Sequence, residues 1–204
     1  TTCSAAIVRC GMRKSGMAES RCGRSNPPPT ALLGAGALGS VSGAALLEAG
    51  NSVTLLGRRP TPDITVCEPP CNVQKTLLRV ETDPATIAGA DLVLMLVKAY
   101  DTEQATQGIA PYLRPDATVV TLQNGLGNAA RIRAHLPGRQ RVLAGVTSQA
   151  ARRVSRSLIL HTGVGPTVVG CEIDADRAAA EHLAGLLSNA GLPAAVSGDI
   201  DRFI

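Results

Sequence analysis

From residue 30 onward, short apolar runs alternate with longer segments whose apolar positions recur every three to four residues. Thr30–Leu33 is a brief apolar run that reads as a strand. Leu38, Val41, Ala45, Leu46 and Ala49 then recur near helical spacing and predict a helix over about 38–49. Gly50 and Asn51 end it, and Ser52–Leu56 reads as the second strand. Residues 60–83 are broken by Pro, with short β-like runs at Ile64–Cys67 and Thr76–Val80 and no evident helix. A right-handed crossover is the ordinary link between parallel strands, so a helix is expected there and not found. The run from Asp91 to Val97 is almost continuously apolar, as a strand buried on both faces should be.

The pattern then repeats. A helix is predicted over about Thr102–Tyr112, a strand over Thr118–Leu122, a helix over about Asn128–His135 and a strand over Val142–Gln149. Near Arg152 the rhythm changes. Ser157–His161 and Pro166–Gly170 are short β runs joined through Gly163–Gly165, which predicts a hairpin. A last helix covers about Asp174–Ala190, and Ala194–Val196 is a final short strand. Strands alternating with helices predict an α/β fold, a Rossmann-type, doubly wound, mostly parallel sheet.

The first strand and helix flank Gly34-Ala35-Gly36-Ala37-Leu38-Gly39. A glycine-rich pattern alone is a weak signal, and a plain strand–turn–helix is the alternative. Its position between a strand and a helix, with a second strand close behind, gives it weight as a dinucleotide-binding turn. Gly34 permits the tight turn, Gly36 lets a pyrophosphate approach the backbone, and Gly39 lets the helix pack closely. The helix start offers N–H groups and the positive end of its dipole. After the second strand comes Gly57-Arg58-Arg59-Pro60. An acid there would bond a ribose 2′-hydroxyl. Arginine instead suits a 2′-phosphate, so the expected cofactor is NADP(H).

Composition bounds the rest. The chain has 204 residues, 45% of them hydrophobic, with one Phe, two Tyr and no Trp. The core must be aliphatic, and stacking platforms for single-stranded nucleic acid are not expected. The net charge of +4 sits in residues 1–25, with five basic residues and one acid. The remainder holds fifteen of each sign, so no nucleic-acid face is expected. Residues 1–28, ending in a Pro run, read as a disordered or transit-like extension, and residues 29–204 as the NADP-binding domain. Six Cys show no paired Cys-x-x-Cys spacing, so free thiols are expected and a metal site is not. No apolar run reaches the ~18 residues of a membrane span. The expected compartment is the cytoplasm, or the mitochondrion if residues 1–28 are a transit peptide.

Lys98 and Asn124 both fall just past the carboxyl ends of predicted strands, where open parallel sheets bind ligands. Asn124-Gly125 is equally a favoured turn dipeptide. With these residues placed, Gly34–Gly39, Val97-Lys98-Ala99-Tyr100, Gln123-Asn124-Gly125-Leu126-Gly127 and Gly145-Val-Thr-Ser-Gln-Ala-Ala-Arg-Arg153 together resemble the 2-dehydropantoate 2-reductase (ketopantoate reductase) family. The resemblance covers about residues 30–200.

The resemblance implies NADPH-dependent reduction of 2-dehydropantoate to (R)-pantoate, on the route to pantothenate. It implies that Gly34, Ala35, Gly36, Ala37, Leu38 and Gly39 line the pyrophosphate and that Arg58 meets the 2′-phosphate. Lys98 would sit beside the cofactor ribose and substrate, Asn124 would contact both, and Ala151 would touch the cofactor through its backbone. The family also has a helical C-terminal domain opening on a Trp-x-Lys-Leu type segment that supplies the general-acid lysine. That segment would lie beyond Ile204, so the chain reads as the cofactor-binding half, with no catalytic acid assigned. The alternatives are an NADP(H)-binding module without catalysis and a reductase of another 2-oxo acid. The small-molecule substrate is the expected partner, and a homodimer is left open.

Overall fold

A computed structural model describes residues 29–68, 78–171 and 173–203. The expected extension, residues 1–28, and the beginning of the Thr76–Val80 run lie outside them. Among the described residues the strands are β1 (Thr30–Leu33), β2 (Val53–Leu56), β3 (Thr61–Cys67), β4 (Leu78–Glu81), β5 (Leu92–Met95), β6 (Thr118–Thr121), β7 (Arg141–Thr147), β8 (Ala150–Arg153), β9 (Leu158–Gly163), β10 (Thr167–Gly170) and β11 (Ala194–Ser197). The helices are α1 (Ala37–Glu48), α2 (Thr102–Ile109), α3 (Asn128–Ala134) and α4 (Arg177–Asn189).

Six strands run parallel in the order β4-β2-β1-β5-β6-β7. The order reverses between β1 and β5, which is the switch point of a doubly wound sheet. Side-chain alternation explains the two-sided core. Leu32, Leu94, Val120 and Leu143 pack on the face covered by α1 and α4. Ala31, Leu33, Val93, Met95 and Val119 pack on the other face, with Ile109 of α2 and Ile132 of α3. Each of the Val, Leu, Ile and Met side chains contributes roughly 1.5–3 kcal/mol by leaving water, so an aliphatic core holds the layers without aromatics.

The connection from β2 to β4 contains β3, which pairs antiparallel with the far side of β4. Among the described residues this connection holds β3 and no helix, and the rest of it, residues 69–77, lies outside them. β3 then carries β9 and, beyond it, β8. The sheet curls so that α1 touches β2 on one side and β8 and β9 on the other. The helix is therefore buried over most of its surface, including Ser40, Ser42 and Gly43. His161 of β9 fastens the curl: Nδ1 lies 3.1 Å from Glu68 Oε1 and Nε2 lies 2.7 Å from Gln149 Oε1.

The hairpin predicted between Ser157–His161 and Pro166–Gly170 does not form. β9 pairs with β8 and β3, whereas β10 pairs with β7 and β11 at the opposite end of the sheet order. The true hairpin lies one strand earlier, between β8 and β9, closed by Val154 N and Ser155 N donating to Leu158 O at 2.9 and 3.2 Å. β7 explains the difference. Its first half pairs parallel with β6, and its second half, Gly145–Thr147, pairs antiparallel with β10. A Cβ at Gly145 would stand 2.8 Å from Leu122 Cδ2 and 2.9 Å from Val168 O, so the glycine permits this double pairing. Cys67 is disulfide-bonded, against the expectation of free thiols, while Cys171 is free and buried. No helix of the described residues is long and apolar enough to cross a membrane.

Candidate functional site

The site is built at the carboxyl ends of β1, β2, β5 and β6. β1 stops at Leu33, and Gly34 turns the chain with φ +111°. Gly34 N donates to Leu56 O at 2.9 Å, and Leu96 N donates to Leu33 O at 2.7 Å, so the turn is held from both neighbouring strands. A Cβ at Gly34 would lie 2.7 Å from the Leu96 carbonyl carbon. Gly39 faces the Gly34 carbonyl so closely that no side chain fits there. Gly36 is different, because nothing lies within 4 Å of its Cβ position. Two glycines are thus required by packing, and the third leaves open space at the start of a helix.

That open space has the character an anion needs. Gly36 is the N-cap of α1, no side chain caps the helix, and no acid lies in its first turn. Early N–H groups of a helix have no partner within the helix and carry its positive dipole end. A backbone cradle without a Cβ, facing such donors, fits the pyrophosphate of a dinucleotide. Ala35, Ala37 and Leu38, each half-buried, complete the loop.

The turn after β2 lies against this loop. Gly57 N donates to Glu81 O at 2.9 Å, and a Cβ at Gly57 would lie 2.9 Å from Ala35 Cβ and 2.7 Å from Val80 Cγ1. The absent side chain brings the Arg58-Arg59 turn beside the glycine loop. Arg58 projects into solvent, 86% exposed, with Nη1 3.8 Å from Asp101 Oδ2. Such a long, exposed ion pair contributes little, so the guanidinium stays available.

Lys98 follows β5, is exposed, and caps a short helical turn at Ala99–Asp101 through its carbonyl, which accepts from Asp101 N at 2.8 Å. Asn124 follows β6 and is exposed, its carbonyl accepting from Asn128 Nδ2 at 3.2 Å. Gly125 and Gly127, at φ +97° and +82°, shape that loop. Between the two ends stands Gln123, buried to 7% exposure. Its Nε2 donates to Val97 O at 2.7 Å and to Thr102 Oγ1 at 2.9 Å, and its Oε1 accepts from Thr121 Oγ1 at 2.9 Å. Gln123 therefore sets the spacing of the segments that carry Lys98 and Asn124. Beyond Asn124, a cleft of about 110 Å³ opens between Gly127, Asn128, Gly145 and Ile200.

Ala151 is half-buried on β8, paired with His161. Two residues on, Arg153 Nη2 donates to the Ala35 carbonyl, 118 residues away in sequence, and Nη1 donates to Arg156 O at 2.8 Å. The hairpin thus reaches the glycine loop. Gln123, Gly57 and Arg153 stand in the sequence motifs without a role of their own there. Gln123 had a signal in its place at a strand end, and Gly57 in its place before the arginines. Arg153 ends one of the quoted motifs, but its contact with Ala35 had no signal, because that partner is remote.

The chain as a whole is similar to known proteins. The family described as "Ketopantoate reductase PanE/ApbA" matches residues 30–172. The chain is 35% identical over 178 residues to the 2-dehydropantoate 2-reductase of Halobacterium salinarum, covering 84% of this chain and 58% of that protein. A crystal structure of a PanE/ApbA family ketopantoate reductase from Ralstonia eutropha JMP134 superposes with TM-score 0.74 at 30% identity, covering 83% of this chain and 56% of that one. D-mandelate dehydrogenase, solved with NADH and anilino(oxo)acetate, superposes with TM-score 0.76 at 26% identity, covering 85% of this chain and 59% of that one. The chain thus spans a little over half the length of each of these relatives. On the family match and the identity to its relatives, this chain belongs to the ketopantoate reductase PanE/ApbA family.

Proposed function

We propose that this chain is the NADPH-binding part of a 2-dehydropantoate 2-reductase. The observation that carries the reading is the open Gly36 position at the uncapped start of α1, with the Arg58 turn packed against the same loop. The donor set suits the cofactor at both phosphate positions. Backbone N–H groups of Gly34–Gly39 would hold the pyrophosphate, and Arg58 would hold the 2′-phosphate, with no acid in its place to favour NAD.

NADPH, when bound, supplies the hydride that reduces a 2-oxo group. The chain's own residues position the reactants. Lys98 places a positive charge beside the ribose and the substrate carboxylate, where an anionic 2-oxo acid is attracted. Asn124 offers an amide to the nicotinamide ribose and the substrate. Ala151 offers its backbone to the cofactor. Gln123 holds the Lys98 and Asn124 segments in register through Val97 O and Thr121. The keto oxygen needs a proton as the hydride arrives, from a donor within about 3 Å. The family resemblance puts that donor in a helical domain, and none of the 204 residues is assigned the role.

The test has two readouts. Calorimetry with NADPH reports binding, and absorbance at 340 nm after adding 2-dehydropantoate reports turnover. Binding with turnover supports the reductase. Binding without turnover supports a module that holds NADP(H) and needs a further domain. The likeness to D-mandelate dehydrogenase favours one second reading, a reductase of another 2-oxo acid. A panel of 2-oxo acids with NADPH and NADH distinguishes it. We place the protein in the cytoplasm, with the mitochondrion as the alternative, and leave a homodimer to sedimentation analysis.

A further inference from the structure

We propose that the tip of the β8–β9 hairpin is the second half of the adenosine-phosphate subsite, with Arg153 and Arg156 joining Arg58 around the 2′-phosphate. The proposal rests on the NADP reading above. The tip grips both components of that subsite. Arg153 Nη2 donates to the Ala35 carbonyl, and Ala35 Cβ lies against the Gly57 position. Arg156 Nη2 donates to Pro60 O at 3.2 Å, at the far end of the same four-residue turn. The Arg58-Arg59 segment is thus bracketed by guanidinium groups from a hairpin about a hundred residues away in sequence.

The partners of these guanidinium groups point to a ligand. Among the described residues Arg153 and Arg156 meet only backbone carbonyls and no carboxylate. A guanidinium has five donors in a planar fork. A neutral carbonyl occupies one of them, whereas a phosphate takes two and gains from the opposite charge. Both residues are exposed, so a ligand can reach them.

The charge distribution agrees. Residues 26–204 are balanced in charge. Arg58, Arg59, Arg152, Arg153 and Arg156 nevertheless gather on these two neighbouring segments, and the one ion pair formed there among the described residues is the 3.8 Å contact of Arg58 with Asp101. A local positive field in a neutral domain attracts an anion. A 2′-phosphate, the group that distinguishes NADP from NAD, is the anion expected beside the end of β2.

The experiment compares 2′,5′-ADP with 5′-AMP, which differ only in the 2′-phosphate, by calorimetry on the 204-residue chain. The wild-type chain should prefer 2′,5′-ADP. In the R153A/R156A variant that preference should fall by about tenfold or more, as expected for lost bidentate contacts, with 5′-AMP binding falling much less even though Arg153 also braces the Ala35 carbonyl. The R153K/R156K variant keeps the charge and the fold but loses the fork, and should show an intermediate preference. Equal weakening of both nucleotides would mean that the hairpin only shapes the loop, and would overturn the proposal. An unchanged preference in the Lys variant and the Ala variant would overturn it too, leaving the NADP reading intact. A wild-type chain with no preference would overturn the NADP reading itself.

Discussion

Gln123 Nε2 donates to the Val97 carbonyl oxygen at 2.7 Å and so ties the carboxyl ends of β6 and β5 together. Those ends carry Asn124 and Lys98. Replacing Gln123 by Leu leaves Val97 O and the Thr121 hydroxyl without this partner. The expected loss is ~1–3 kcal/mol of stability, the usual cost of orphaned buried polar groups. Urea unfolding checks it. NADPH affinity should fall in the same variant even under conditions where it is fully folded, because the two segments lose their spacing.

The three glycines of the loop should respond differently. Gly36→Ala adds a methyl where nothing lies within 4 Å, so the midpoint of thermal unfolding should not move. Its NADPH affinity should fall by about tenfold or more, about 1.4 kcal/mol or more, because the methyl occupies the phosphate approach. Gly34→Ala places a Cβ 2.7 Å from the Leu96 carbonyl carbon at φ +111°. It should lose stability of ~1–3 kcal/mol with no ligand present. Thermal scans with and without NADPH separate the two effects.

Gly145→Ala tests the strand switch. Its Cβ would meet Leu122 Cδ2 at 2.8 Å and Val168 O at 2.9 Å, and the second contact is backbone that cannot step aside. A loss of ~1–3 kcal/mol is expected, as for other overpacked sites. Hydrogen exchange should show β10 opening before β6, since the β7–β10 pairing is the one displaced.

His135 links α3 to α2. Nδ1 lies 2.9 Å from Arg131 O and Nε2 lies 3.0 Å from Glu103 Oε1. The Arg131 carbonyl, assisted by the Glu103 carboxylate against some loss of hydration, raises the imidazole above its ordinary value. A raised folded value means that the folded state holds the proton more tightly. The contribution is full below about pH 6.5, the unfolded value, and is lost as pH rises through the folded one. Unfolding midpoints of wild type and His135→Ala should differ more at acidic than at alkaline pH, with NMR titration of His135 reporting the raised value directly.

Much of this arrangement was legible in the sequence because it depends on local patterns. The parallel core follows from apolar runs spaced by helices, and the glycine loop follows from its position between β1 and α1. Lys98 and Asn124 were visible as polar residues ending apolar strands. What escaped depends on partners remote in sequence. The misplaced hairpin shows this: Gly163–Gly165 carries local turn residues, but β10 gains more by pairing with the free half of β7. The place of β3 escaped because its partners, β4 and the remote β9, are not named by its local pattern. Arg153 escaped for the same reason, since nothing near it names Ala35.

The central claim is that Gly34–Gly39 and Arg58 form a ready NADP(H) site within this chain. Calorimetric titration of the 204-residue protein with NADPH and NADH, beside Gly36→Ala, tests it most directly. The account predicts saturable binding of NADPH, weaker binding of NADH, and loss of NADPH affinity in Gly36→Ala at unchanged thermal stability. A folded wild-type chain that takes up no NADPH at millimolar concentration would contradict it.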